Sequence, residues 1–364
     1  MSGQTISRAA SAPSTRSFWS RHRERIIGLA ILAAALGLYP YLVQSRWVDA
    51  ANLVLIAGVG AIALNILLGV AGQLSLGSAA FMAIGSFTAA AVSTQVLHLP
   101  FLATLVVGAV AGGLAAVVLG IIALRIRGFY LVLATIALHY IVLFFAQRYQ
   151  EATVGLTGFL MPTADIFGWH IASSRTWYWV LVVVLALVTI GSYNLLRSRT
   201  GRAFRAIKDR DIAAAILGVN VTRTKLLAFI ITSMLIGFQG ALYAYYVGVV
   251  SYETFTLDVT VQYVAMIVIG GIASLAGSIL GALVVIMLPF VVQALMPLLP
   301  GWFPFYDQIT HNIFAVQLII YGVVIVVFML RAPNGLASSF RRLGRWVGHR
   351  IAGRRTAIGG ASDD

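Results

Sequence analysis

Long apolar runs separated by short polar stretches organise this chain from end to end. They fall at about residues 27–43, 47–69, 73–95, 101–124, 128–147, 176–196, 226–250, 260–275, 276–298 and 312–330. A bilayer core about 30 Å thick takes roughly 20 apolar residues as helix, so most of these windows are of crossing length. Hydrocarbon offers no partner to a free N–H or C=O, and segments of this kind therefore cross as helices wherever neighbouring protein does not satisfy their backbone. The pattern predicts an all-α integral membrane protein of about ten transmembrane or re-entrant helices over residues 26–330. A basic tail at 1–25 precedes it and another at 331–364 follows it. Two places read as discontinuous, the Gly-rich stretch after Val70 and the short neighbouring windows 260–275 and 276–298.

Composition narrows the class. Apolar residues make up 60% of the chain, charged residues 10%, and the mean hydropathy is +0.94, against about 25% charged residues in a soluble domain. Little soluble mass remains for a separate catalytic domain. The net charge of +14 lies in tails and short loops, not along one face, so it reads as a topology signal and not as a nucleic-acid surface. With the N-terminus in the cytoplasm, only Arg46, Arg148 and Arg175 of the 25 Lys and Arg fall outside, the bias that membrane insertion imposes. An even number of crossings returns the C-terminus to the same side. The apolar run after Arg25 lacks a clear small-residue cleavage site and reads as an uncleaved first helix. Cysteine is absent, which excludes disulfides, thiolate metal ligands and a cysteine nucleophile.

The sequence also limits how such a protein could be powered. A phosphate-cradling loop needs Gly-Lys-Ser/Thr, but the only lysines, Lys208 and Lys225, follow Ile207 and Thr224. Ion-coupled carriers keep ionisable groups at membrane depth, whereas every Asp and Glu here lies in a tail, a loop or at a helix end, Asp49 and Asp258 nearest the membrane. His139 is the ionisable residue nearest mid-helix, and a neutral, hydrogen-bonded histidine inside the bundle is the preferred reading over a proton relay. No zinc-protease or serine-hydrolase motif appears, and no metal site is expected.

Three constellations carry chemistry. In the first, Asn65, Gly69, Gly72, Gln73, Ser75 and Gly77 place backbone freedom and polar groups within an apolar region. A broken helix near the bilayer midplane is one way transporters build a pathway or gate; tight packing between helices uses the same small residues. In the second, Gly270, Gly271, Gly277 and Gly281 suggest a matching discontinuity in the other half of the chain. The third is the basic loop from Arg197 to Lys225. Its apolar residues Phe204, Ile207, Ile212, Ile216 and Leu217 recur among charges as in an amphipathic helix over 199–218, closed by Gly218. Such a helix can rest on anionic lipid. Asp209 and Asp211 interrupt the basic run, however, and Ala213-Ala214 offers a small surface suited to a protein groove.

Gly72-Gln73-Leu74-Ser75-Leu76-Gly77, Gly201-Arg202-Ala203-Phe204-Arg205-Ala206-Ile207, Ile212-Ala213-Ala214 with Gly218, and Pro333-Asn334-Gly335-Leu336 resemble, in order and spacing, the LivM-type permeases of branched-chain amino-acid ABC importers. The resemblance runs from about Asn52 to Leu336. It implies one of two related permease subunits in a bacterial inner membrane, set in lipid, with two cytoplasmic ATPase subunits below and a periplasmic substrate-binding protein above. It implies no cofactor on this chain, ATP and magnesium sitting on the ATPase subunits, and no enzymatic site of its own. By the same resemblance the loop helix becomes a coupling helix that includes Gly201, Arg202, Ala203, Arg205, Ala206, Asp209, Ala213, Ala214 and Gly218, and the Gly-broken segments become the translocation pathway or gate. Three positions depart from the pattern: Ile212 stands where the general ABC coupling motif has Glu, Ser78 where relatives often have His, and Ser278 where they often have Pro. The same machinery for urea, a short amide or an aromatic amino acid is the alternative within transport. A stand-alone ion-coupled carrier or channel is the alternative outside it.

Overall fold

The computed structural model describes residues 36–123, 129–166 and 168–295, with isolated positions at 319, 322, 323, 326, 327 and 336. Among the described residues, eight helical segments are long and apolar enough to cross a bilayer. The helices are α1 (Ser45–Asn65), α2 (Ser78–Ala90), α3 (Phe101–Ala123), α4 (Phe129–Thr153), α5 (Ser174–Arg197), α6 (Arg199–Asp209), α7 (Asp211–Ile216), α8 (Val221–Val247), α9 (Leu257–Gly270) and α10 (Leu275–Leu295). All but α6 and α7 match the apolar windows. Most of the window 27–43, most of 312–330, the tail 1–25, the tail 331–364 apart from Leu336, Arg125, Arg127 and Pro333-Asn334-Gly335 lie outside the described residues.

The bundle core is α1, buried over almost its whole length and packed by α8, α10 and α5. A second contact layer joins α2, α3 and α8 through glycine. Gly85 of α2 presses on Gly237 of α8, and a Cβ at Gly237 would stand 2.6 Å from the Gly108 carbonyl of α3. At Gly112 a Cβ would stand 2.5 Å from the Ser233 carbonyl. Backbones approach this closely where at least one side carries no side chain, the arrangement favoured where lipid supplies no hydrophobic drive between helices. Ser86 Oγ donates to the Gly240 carbonyl at 2.7 Å and fixes the same seam.

The helix ends fall into two groups. At one end the 147–175 loop is folded: β1 (Phe159–Leu160) pairs antiparallel with β4 (Val249–Val250), and β2 (Ala164–Ile166) with β3 (Trp169–Ile171). Phe159 is buried against Phe87 and Tyr149, while Trp169 stands exposed. Order therefore comes from strand pairing and Phe159, and the exposed Trp169 side chain adds nothing to it. At the opposite end lie α6, α7, the start of α8 and both helix breaks.

The first break spans the end of the window 47–69 and the start of the window 73–95. After Asn65 the helix widens to i→i+5 hydrogen bonding over Ile66–Val70, Ala71 N–H donating to the Ile66 carbonyl at 3.0 Å. Gly72 then takes φ +68°, a region that glycine enters without the Cβ penalty of other residues, and the chain runs non-helically to α2. The second break follows α9, where Gly271 (φ +120°) and Ala273 (φ +64°) reverse the chain into α10.

Candidate functional site

Both breaks face each other, and Asn65 joins them. Its Nδ2 donates to Ser278 Oγ at 2.6 Å and to the Ser274 carbonyl at 3.0 Å, with the Gly271 carbonyl at 3.5 Å. Its Oδ1 accepts from Ala273 N–H at 2.8 Å. One fully buried amide thus meets both the donor and the acceptor needs of a turn that has left the helix, the condition for non-helical backbone at this depth. A Cβ on Gly69 would stand 2.6 Å from Ala273 N, so the widened turn presses directly on the second break.

The rest of the first break is held by neighbours in the same way. Gln73 Nε2 donates to the Lys225 carbonyl at 3.1 Å, Leu76 N–H to Thr135 Oγ1 at 3.0 Å, Gly77 N–H to Ser75 Oγ at 3.3 Å, and Ala79 N–H to Thr260 Oγ1 at 3.0 Å. The sequence singled out Gln73, Ser75 and Gly77 but missed Thr135 and Thr260, because a lone threonine in an apolar window carries no mark of what it faces. Gly270, Gly277 and Gly281 serve packing: α9 and α10 meet there, with a Cβ at Gly277 standing 2.5 Å from the Gly270 carbonyl and Gly281 set against the Met266 carbonyl. Gly271 alone of that group forms the turn. The breaks lie toward the end of the bundle that carries α6, since Gly72 touches Lys208 of α6 and Gln73 reaches the first turns of α8.

The loop 199–218 forms two helices, not one. Ser198 caps the first, its Oγ accepting from Gly201 N–H at 3.3 Å, and Gly201 packs where a Cβ would stand 2.5 Å from the Leu195 carbonyl. Arg202 and Arg205 turn back on their own chain and donate to the Arg197 carbonyl (3.0 Å) and the Leu196 carbonyl (2.7 Å) at the end of α5, the favourable place for cations at a helix C-terminus. Phe204 and Ile207 are buried, Ala203 and Ala206 half-buried, and Asp209 exposed. Arg210 is extended (φ −158°, ψ 109°) and separates the helices. In α7, Ala214 is buried while Ala213 is exposed, and Gly218 N–H closes the helix on the Ala215 carbonyl at 3.0 Å. Asp211 pairs with Lys225 of α8. Ile212, Ile216 and Leu217 are 79%, 80% and 81% exposed. Grouping them with Phe204 and Ile207 on one face, as the sequence suggests, is therefore corrected: the kink at Arg210 turns the second set outward.

Elsewhere a groove of about 450 Å³ opens between α2 and α4, lined by Ile84, Phe87, Thr88, Val142, Phe145 and Tyr149 among others. His139 is fully buried on α4, and both its ring nitrogens lack a partner among the described residues, so the expected hydrogen bond is not found there. Among the described residues no three His, Cys, Asp or Glu converge as a metal site would require.

The family described as branched-chain amino acid transport system, permease component, matches residues 46–329. The chain belongs to this family. It is a multi-pass membrane protein of the ABC permease class. The high-affinity branched-chain amino acid permease protein LivM of Salmonella typhimurium is 31% identical over 291 residues, covering 73% of this chain and 68% of that one. LivM of Escherichia coli is 31% identical over 288 residues, covering 72% and 66%. The autoinducer 2 import permease protein LsrC of an Enterobacter species is 34% identical over 156 residues, 41% of this chain and 42% of that one. The chain thus spans about two thirds of the LivM relatives' length. No solved structure matches it significantly.

Proposed function

We propose that this chain is one half of the membrane channel of an ABC importer for branched-chain or other aliphatic amino acids, in a bacterial inner membrane with α6 and α7 on the cytoplasmic side. A second related permease subunit completes the channel. Two cytoplasmic ATPase subunits, carrying ATP and magnesium, drive it, and a periplasmic binding protein delivers the substrate. Membership of the permease family and the likeness to LivM support the class, and the shortage of membrane-depth carboxylates supports an external energy source. The likeness to LsrC covers less than half the chain and supports shared machinery more than a shared substrate.

The observation that carries the reading is the outer face of α7. Ile212, Ile216 and Leu217 project from a helix bordered by Asp209, Arg210 and Asp211 and touch little of their own chain. Contiguous aliphatic side chains among charges call for cover, and a short helix laid into a groove is a recurrent way to supply it. The partner groove belongs to an ATPase subunit. ATP-driven closure of the ATPases moves α6 and α7 as one body, the two breaks above them shift, and the permease pair rocks between inward-open and outward-open states. The groove between α2 and α4 suits an aliphatic side chain, with Thr88 and Tyr149 as its hydroxyl donors.

The test is Ile216→Glu with Leu217→Glu. Neither side chain is buried in its own chain, so insertion and yield are expected to stay normal. Co-purification with the ATPase subunits and ATP-driven leucine uptake in proteoliposomes are expected to fall to background. Retention of both overturns the reading, as does leucine accumulation by the purified chain alone. Uptake of urea, phenylalanine and autoinducer 2 by the same vesicles separates the substrate alternatives.

A further inference from the structure

The first break leaves the carbonyl of Gly69 without its helical donor. In an unbroken α-helix it would accept from Gln73 N–H. That amide bonds instead to the Leu67 carbonyl at 3.0 Å, which leaves Gly69 O without a helical donor. Lys208 of α6 supplies one, its Nζ donating at 2.6 Å. The stem of Lys208 lies against Gly72, where a Cβ would stand 2.9 Å from its Cγ and 3.3 Å from its Cα, so helix and break are in contact as well as bonded. On its other flank Gly69 presses on Ala273, the residue that Asn65 clamps in the second break. A path of one hydrogen bond and one close backbone contact therefore runs from α6 through Gly69 to the turn at Gly271–Ser274.

We infer that Lys208 is the tie through which movement of α6 reaches both membrane breaks. The inference rests on the proposed coupling role of α6 and α7 and names the residue that performs it inside this chain. Packing by Phe204 and Ile207 resists compression, but two apolar surfaces separate at little directional cost. A charge-assisted hydrogen bond to a backbone carbonyl also resists being pulled apart. Arg202 and Arg205 hold α6 to α5, so among the described α6 side chains Lys208 is the one that hydrogen-bonds a membrane break. A tie of this kind lets α6 pull the Ile66–Val70 turn as well as push it.

The native chain has no cysteine, so a single Leu74→Cys, exposed within the first break, reports the state of that break by its rate of reaction with a maleimide. The complete transporter carrying Leu74→Cys is reconstituted, and modification is compared without nucleotide and with ATP plus vanadate. With Lys208 present, nucleotide is expected to change the rate about fivefold or more, the low end of energetic coupling between sites. Lys208→Met is expected to keep assembly and ATP hydrolysis, lose the nucleotide dependence and raise the ATP consumed per leucine transported, while Lys208→Arg restores both. Full nucleotide dependence in Lys208→Met overturns the inference. If Lys208→Met does not assemble, Lys208→Gln, which keeps a neutral donor on a shorter stem, is read in its place. Failure of both to assemble makes Lys208 a structural cap and overturns the tie. Absence of any nucleotide effect with Lys208 intact overturns the coupling reading itself.

Discussion

Replacing Asn65 with leucine removes the clamp between the two breaks while nearly preserving side-chain volume. The acceptors it leaves are not stranded. The Ser274 carbonyl keeps Ser278 N–H at 2.9 Å, the Gly271 carbonyl keeps Ser274 N–H at 3.3 Å, and Ser278 Oγ keeps its own bond to the Ser274 carbonyl at 3.2 Å. Ala273 N–H is different, because Asn65 Oδ1 is its acceptor. An orphaned buried amide costs about 1–3 kcal/mol and each lost donor bond about 1 kcal/mol, of which burying the leucine side chain returns roughly 1–2 kcal/mol. The net of about 2–3 kcal/mol acts locally and corresponds to a roughly 30- to 140-fold rise in the opening equilibrium of the turn, at 1.4 kcal/mol per decade. Ala273 also holds φ +64° against its preference, and losing the clamp frees it to relax. Hydrogen exchange measured on peptides covering 268–278 is the assay, with peptides from α5 as the internal control. Asn65→Leu is expected to speed exchange of the 271–274 amides by that factor and leave α5 unchanged. A rise below about threefold would falsify the assignment of Asn65 as the clamp, since no residue losing its main hydrogen-bond acceptor in a buried turn keeps its protection.

Gly85→Ala puts a methyl group into the Gly237 backbone, where Cβ would stand 2.6 Å from both Gly237 Cα and carbonyl carbon, so α2 and α8 must part. Overpacking of this kind costs about 1–3 kcal/mol, expected as a melting temperature several degrees lower in detergent; Gly191→Ala, with open space at that position, is expected to lower nothing. Asp211→Ala breaks the pair with Lys225, whose side chains are 47% and 28% exposed. A surface pair contributes at most about 1 kcal/mol, so the melting temperature is expected to move little and to be equally indifferent to added salt. A large drop would mean that α7 depends on this pair to stay docked.

Crossing helices were legible in the sequence because hydrocarbon makes the same demand everywhere: an apolar run of sufficient length has one way to satisfy its backbone. α3 and α5 follow their windows for that reason. α8 starts earlier than its window because its first turn is polar and owes its helicity to the Asn220 cap, whose Oδ1 accepts from Arg223 N–H at 3.0 Å. Both breaks were announced by glycine and polar residues out of place. What faces them was not announced, since the partners Thr135, Thr260 and Lys208 lie far off in sequence and look ordinary in their own segments. The glycine seam of α2, α3 and α8 was missed as well, although Gly108 and Gly112, four residues apart in an apolar helix, carry the spacing of a close-packing face.

The loop between α5 and α8 shows most clearly how one residue can invert a reading made from periodicity. Over residues 199–218 an unbroken helix would bring Phe204, Ile207, Ile212 and Ile216 within one half of its circumference, with Leu217 outside that half, and a helix with a single apolar side can only lie down on something. Arg210 leaves the helical region, the chain restarts at Asp211, and the apolar set divides. Phe204 and Ile207 enter the body of the protein while Ile212, Ile216 and Leu217 leave it. The polar residues divide with them: Arg202, Arg205 and Lys208 cap carbonyls of α5 and of the first break, and Asp211 pairs with Lys225 of α8. An element bonded inward on one side and unsatisfied outward on the other has the form of a connection between two bodies. If it serves as one, loosening either side should cost coupling without costing the fold, and the Lys208→Met and Ile216→Glu/Leu217→Glu variants should fail in distinguishable ways: the first still binding its ATPase, the second not.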